Sequence, residues 1–77
     1  MGNLQRVQAI FRDVFGDPTL ELSEETSVET LADWDSVAMI QLVVATEAEF
    51  GVRFTTDEVA GIRSVGDVLR LLERHGA

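Results

Sequence analysis

The chain has 77 residues, no cysteine and one histidine, and fourteen acids against six bases give it a net charge of −8. Those counts exclude disulfide support, a thiolate metal site and a histidine cluster, and no segment approaches the ~20 apolar residues of a membrane span. The ten acids and no base between Asp13 and Val52 also exclude a nucleic-acid surface, which needs basic residues to displace phosphate counterions.

The first predicted element is a helix. Leu4, Val7, Ile10, Phe11 and Val14 recur at helical spacing. Gly16 offers a left-handed cap and Pro18 blocks continuation, so the helix should end near Phe15. From Asp17 to Asp35 no period is sustained. This acidic, Ser- and Thr-rich stretch reads as a long loop with one helical turn near Ser23-Glu24-Glu25. Loops of such length are uncommon in compact domains and are often functional. Leu20, Leu22, Val28 and Leu31 are expected to pin it to the core.

Ser36 to Phe50 is strongly apolar and stops at Gly51. Val37, Ile40, Val43 and Val44 would suit a strand, but about 15 residues without a turn signal is helix length. Asp35 or Ser36 supplies its N-cap. Thr55-Thr56-Asp57-Glu58-Val59-Ala60-Gly61 reads as a short capped helix. Ser64 caps a last helix with Val65, Val68, Leu69 and Leu72 inward, and Asp67 stands at the capping-box position. Arg70, Arg74 and His75 fall near its C-terminus, where positive charge is favoured. The fold class is therefore all-α: a four-helix bundle, three main helices plus one short helix, with a long first loop, forming one domain over residues 1–77.

Ser36 stands where a helix begins. Unpaired N–H groups and the helix dipole favour an anion there, while the neighbouring Asp33 and Asp35 repel one unless a divalent metal bridges them during transfer. An Asp-Ser pair opening a helix is ordinarily a capping device. The preceding acidic loop, the small all-helical size, the missing cysteines and the surface left on the following helix point further. Other chemistries fail. An EF-hand loop starting at Asp33 would need glycine and glutamate where Ala38 and Val44 stand. A serine hydrolase would need a histidine near Ser36 and an oxyanion hole, which so small a chain does not build.

Taken together, the chain resembles the acyl carrier and peptidyl carrier proteins of fatty acid, polyketide and nonribosomal peptide biosynthesis. The residues that carry the resemblance are the Leu4–Phe15 helix, Thr26-Ser27-Val28-Glu29, Asp33-Trp34-Asp35-Ser36-Val37, Glu47-Ala48-Glu49-Phe50-Gly51-Val52 and the Ser64–Leu72 helix. The family's Asp-Ser-Leu signature stands here as Asp35-Ser36-Val37. The resemblance implies a carrier with no catalytic residues and no resident metal. Ser36 would accept 4′-phosphopantetheine from coenzyme A through a magnesium-dependent transferase, with Asp35 orienting metal and transferase. The arm's thiol would hold acyl or aminoacyl groups as thioesters. The implied partners are a phosphopantetheinyl transferase, a loading ligase or acyltransferase, and condensing or tailoring enzymes. The Trp34-Asp35-Ser36 spelling points to a specialised pathway, and the opening MGNLQRVQ, without a signal-peptide core, to a cytoplasmic protein; a monomer is expected. The rival is an acidic helical adaptor that binds a protein and is never modified.

Projected at 100° per residue, the Ser36–Phe50 helix sets Met39, Leu42, Val43, Thr46 and Phe50 on one side, with Ile40 at its border, as core. Val37, Ala38, Gln41, Val44 and Ala48 fall mostly on the other side, with Glu47 and Glu49 toward the end, and Val37, Ala38, Gln41 and Val44 form an apolar partner surface. Asp33, Asp35, Glu47, Asp57 and Glu58 are expected around its rim. Trp34 is expected to cover the bundle where loop meets helix. Small residues at Ala45, Thr46 and Ala60 are expected to let helices pack closely.

Overall fold

The computed structural model describes residues 2–77. Helix α1 (Asn3–Phe15) is followed by α2 (Ser36–Phe50), the five-residue α3 (Thr56–Ala60) and α4 (Val65–Arg74). Helix α1 ends as its sequence requires: Gly16 takes φ 64°, and its N–H turns back to the carbonyls of Arg12 and Asp13. Gly51 closes α2 with φ 66° and donates to Glu47 O. A side chain is disfavoured at both positions by the left-handed backbone.

The core gathers one stripe from each long element. Val7, Ile10 and Phe11 come from α1, Ala38 and Leu42 from α2, and Val65, Val68, Leu71 and Leu72 from α4. Phe11 packs edge-on against Phe15 and Trp34, with centroids 5.8 and 5.0 Å away. On the surface, the Arg6 guanidinium lies 4.1 Å from the centre of the Phe50 ring and 3.1 Å from the Glu49 carboxylate. This clamp ties α1 to the end of α2 but is half in solvent, so its ion pair contributes no more than about 1 kcal/mol.

The long loop is held by backbone as much as by its apolar residues. Leu22 is buried, and Leu20, Val28 and Leu31 pack against the core as expected. The loop also caps α4: Val65 N–H donates to Thr26 O at 2.8 Å and Gly66 N–H to Glu24 O at 3.0 Å. Val28 N–H donates in turn to Arg63 O at 2.9 Å, beside an antiparallel bridge between Ser27 and Ser64. The helical turn expected at Ser23-Glu24-Glu25 is instead a simple turn closed by one bond, Thr26 N–H to Ser23 O. A β-carbon at Gly66 would stand 3.2 Å from the Glu24 carbonyl, so the loop's approach depends on that glycine.

Both short-range caps read from sequence are formed. The Thr55 hydroxyl accepts from Glu58 N–H, and the Glu58 carboxylate accepts from Thr55 N–H. Ser64 and Asp67 make the same exchange at α4. His75 Nε2 lies 3.1 Å from the Glu58 carboxylate, joining the end of α4 to α3. The Thr55 N–H and then His75 hold the Glu58 carboxyl below its ordinary value. At Asp67 burial pushes upward, but the Arg63 N–H, Arg70 and Ser64 outweigh it, and the net direction is also down.

A carboxyl lowered in the folded state stabilises fully above its unfolded value and loses that contribution as pH falls through the folded value. Protonating the many unpaired acids relieves repulsion and works the other way, so the comparison with Glu58→Gln isolates this site. Chemical denaturation should find the parent more stable than that variant at neutral pH, with the gap closing below the ordinary carboxylate range. A gap that is constant with pH would contradict the assignment.

Three placements differ from the sequence expectation. Ala38 is buried at 6% exposure, and Ile40 is 65% exposed. The buried seam of α2 runs Ala38–Leu42–Thr46, a four-residue spacing rotated away from Ile40. Ala60, expected inside, is on the surface.

Candidate functional site

Helix α2 begins at Ser36, and its cap decides what the serine hydroxyl is used for. The N-cap is Asp35, in extended conformation, and its Oδ1 accepts from Ala38 N–H at 2.9 Å. The Asp35 carbonyl accepts the first helical bond, from Met39 N–H at 2.8 Å. Ser36 is therefore the first helical residue rather than the cap. Its hydroxyl is not used in the capping bond, and the residue is exposed. The N–H groups of such a first turn lack intrahelical partners and, with the dipole, favour a phosphate-type anion beside them.

The residue before the cap is fixed from below. Trp34 N–H donates to Leu31 O at 3.0 Å, closing a turn, and the indole is 4% exposed beneath the loop. It covers the bundle at the loop–helix junction, as expected. Its Nε1–H has no hydrogen-bond partner among the described residues, a state that costs about 1–3 kcal/mol when a donor is buried. Nothing in the sequence signals that unpaired group.

Around the serine, Asp33 and Asp35 are exposed on the loop side. On α2, Val37, Ile40 and Val44 are 60–65% exposed, and Gln41 lies among them. The apolar stripe is thus present with Ile40 in it, while Ala38, assigned to it from the helical projection, faces the core. Of the other rim acids, Asp57 is exposed. Glu47 and Glu58 are half-buried and engaged within the fold: Glu47 accepts from Phe54 N–H at 2.8 Å, and Glu58 holds Thr55 and His75. Among the described residues no three metal-ligating side chains come together, and no helix is long and apolar enough to cross a membrane.

Residues 5–72 match the family model described as "Phosphopantetheine attachment site". The chain belongs to this acyl carrier family. Its members are carriers rather than enzymes, and 4′-phosphopantetheine is the group they bear covalently. An acyl carrier protein of Acidothermus cellulolyticus is 42% identical over 60 residues, covering 78% of this chain and 71% of that one. The meromycolate extension acyl carrier protein of Mycobacterium tuberculosis is 32% identical over 68 residues, 88% of this chain but only 59% of its own length. The solution structure of the holo acyl carrier protein from Geobacter metallireducens superposes with a TM-score of 0.87 at 32% identity, covering 96% of this chain and 85% of that one. The all-α bundle expected from sequence is thus that of a known carrier.

Proposed function

We propose that this single carrier domain bears 4′-phosphopantetheine on the Ser36 oxygen and uses the arm's thiol to carry acyl groups as thioesters between biosynthetic enzymes in the cytoplasm. The observation that carries the reading is the Asp35 cap. It frees an exposed hydroxyl at a helix start where an anionic phosphodiester is electrostatically favoured. The Ser36 hydroxyl would attack the coenzyme A diphosphate. A new Oγ–P bond forms, the P–O bond to adenosine bisphosphate breaks, and the hydroxyl proton passes to a base of the magnesium-dependent transferase. Asp35 keeps a second carboxylate oxygen free of the capping bond to meet that metal. The names of the mycobacterial relatives support chain extension of the fatty-acid type among the pathways this family serves. Co-expression with a phosphopantetheinyl transferase tests the reading. The intact mass should rise by one phosphopantetheine, and an unchanged mass would favour the unmodified adaptor.

The partner surface follows from the same site. The exposed Val37, Ile40 and Val44, with Gln41 among them, are offered to modifying, loading and condensing enzymes as an apolar grip. Asp33 and Asp35, exposed just before the helix, steer basic-rimmed partners toward it. Val44→Glu and Gln41→Glu should each lower kcat/KM for modification by about tenfold, equivalent to about 1.4 kcal/mol, without changing the melting temperature. Unchanged kinetics in both would remove the apolar grip.

A further inference from the structure

Trp34 stands two residues before Ser36, and its buried, unpaired Nε1–H belongs to a ring that lines a cavity of about 10 Å³. Met39, Val43, Thr46, Phe54 and Ile62 share that lining. The space is about that of one water, but a buried water needs two to four polar partners. Trp34 and Thr46 bring the only strong polar side-chain groups to these walls, so a water would be poorly held. An oxygen acceptor that arrives on an apolar chain meets both demands: it pairs the indole N–H, and the carbons behind it contact apolar walls. Met39 and Phe54 are only half-buried, and methionine's soft torsions make it an adaptable wall. A chain enters only if such side chains move aside, because the cavity as it stands holds no more than one water. The chain that can arrive there is cargo tethered at Ser36, and the inference rests on that reading of Ser36.

We propose that the Trp34 Nε1–H selects among acyl cargoes, donating a hydrogen bond to a keto or hydroxyl oxygen of a chain inserted in this cavity, so that oxygenated chains are held in preference to saturated ones. A net hydrogen bond of ordinary strength gives a preference of about three- to tenfold. The residue acts on cargo choice and leaves attachment of the arm unaffected.

The chain has one tryptophan, so nitrogen-15 labelled protein gives one indole cross-peak. Apo-protein is converted by a phosphopantetheinyl transferase with octanoyl- or 3-oxooctanoyl-coenzyme A, and intact mass reports whether each loading succeeded. The 3-oxooctanoyl form should move the indole proton downfield and slow its exchange with solvent, whereas the octanoyl form should do neither. Thioester hydrolysis should be about three- to tenfold slower for the oxo chain relative to its free pantetheine thioester than for the saturated chain, and Trp34→Phe should remove that difference. The cross-peak is read on the parent protein, so a poorly folded variant does not spoil the test. Full loading with the same indole signal for both chains overturns the proposal and leaves Ser36 attachment standing. No loading with either coenzyme A overturns both.

Discussion

Ser36→Ala is expected to remain entirely unmodified by a phosphopantetheinyl transferase and coenzyme A, and to melt within a few degrees of the parent. The two halves of that result have separate causes. Modification requires the hydroxyl oxygen, and no neighbouring serine stands at the start of α2. Stability is untouched because the Asp35 carboxylate, not Ser36, caps the helix, and an exposed alanine in the first turn is a good helix former. Were Ser36 the cap, its loss would cost about 0.5–2 kcal/mol. Asp35→Ala should show that loss, whereas Asp35→Asn should keep the cap, since asparagine caps as well as aspartate. If Asp35→Asn folds normally but is modified slowly, the free carboxylate oxygen is acting on the metal or the transferase. Intact mass and circular-dichroism melts read both arms. A Ser36→Ala variant that still gains the arm would contradict the site.

Phe11→Ala is expected to be the most damaging single change to the fold. Phe11 is 1% exposed, packs on Phe15 one turn along the same helix and joins α1 to Trp34 of the loop. Truncating a buried phenylalanine costs about 3–5 kcal/mol. A chain of this size has a total stability of about 4–12 kcal/mol, so the variant loses a large share of it. The melting temperature should fall by at least about 12 °C, given 4–8 °C per kcal/mol in domains of this length. The same change loosens the floor under Trp34 and hence the start of α2. Modification of Ser36 should therefore slow at temperatures where part of the population is unfolded. A fall of less than about 4 °C would contradict the packing assigned to Phe11.

How far the sequence reveals the fold depends on whether each signal is local. Helix α1 is marked by apolar residues at helical spacing and a Gly16–Asp17–Pro18 ending. Helix α4 is marked by a capping box that pairs Ser64 with Asp67, and α3 by a short capped run that stops at Gly61. All of these formed where expected. Helix α2 was legible in its limits but not in its rotation. It is apolar on all sides, so no polar stripe fixes which residues face inward. Ala38 went to the core and Ile40 to the surface against the helical projection. The loop's docking was half legible. Leu20, Leu22, Val28 and Leu31 announced contact, but the backbone bonds from Val65 and Gly66 to Thr26 and Glu24 join residues some forty positions apart and have no local signature.

At the site, Ser36 itself was legible through its position and its resemblance to a family signature. The division of labour with Asp35 was not, because either residue could have capped the helix. Glu47 and Glu58 looked like free rim acids. The fold instead uses them to hold Phe54, Thr55 and His75, while Asp33, Asp35 and Asp57 are exposed.

The account stands on the covalent chemistry of one oxygen atom, and peptide-level mass spectrometry addresses it most directly. The chain has no lysine and no arginine between Arg12 and Arg53, so one tryptic peptide carries Ser23, Ser27 and Ser36 together. Fragmenting that peptide from protein treated with transferase and coenzyme A should place a single phosphopantetheine on Ser36. The group found on Ser23 or Ser27, or a peptide with no added mass, would contradict the account.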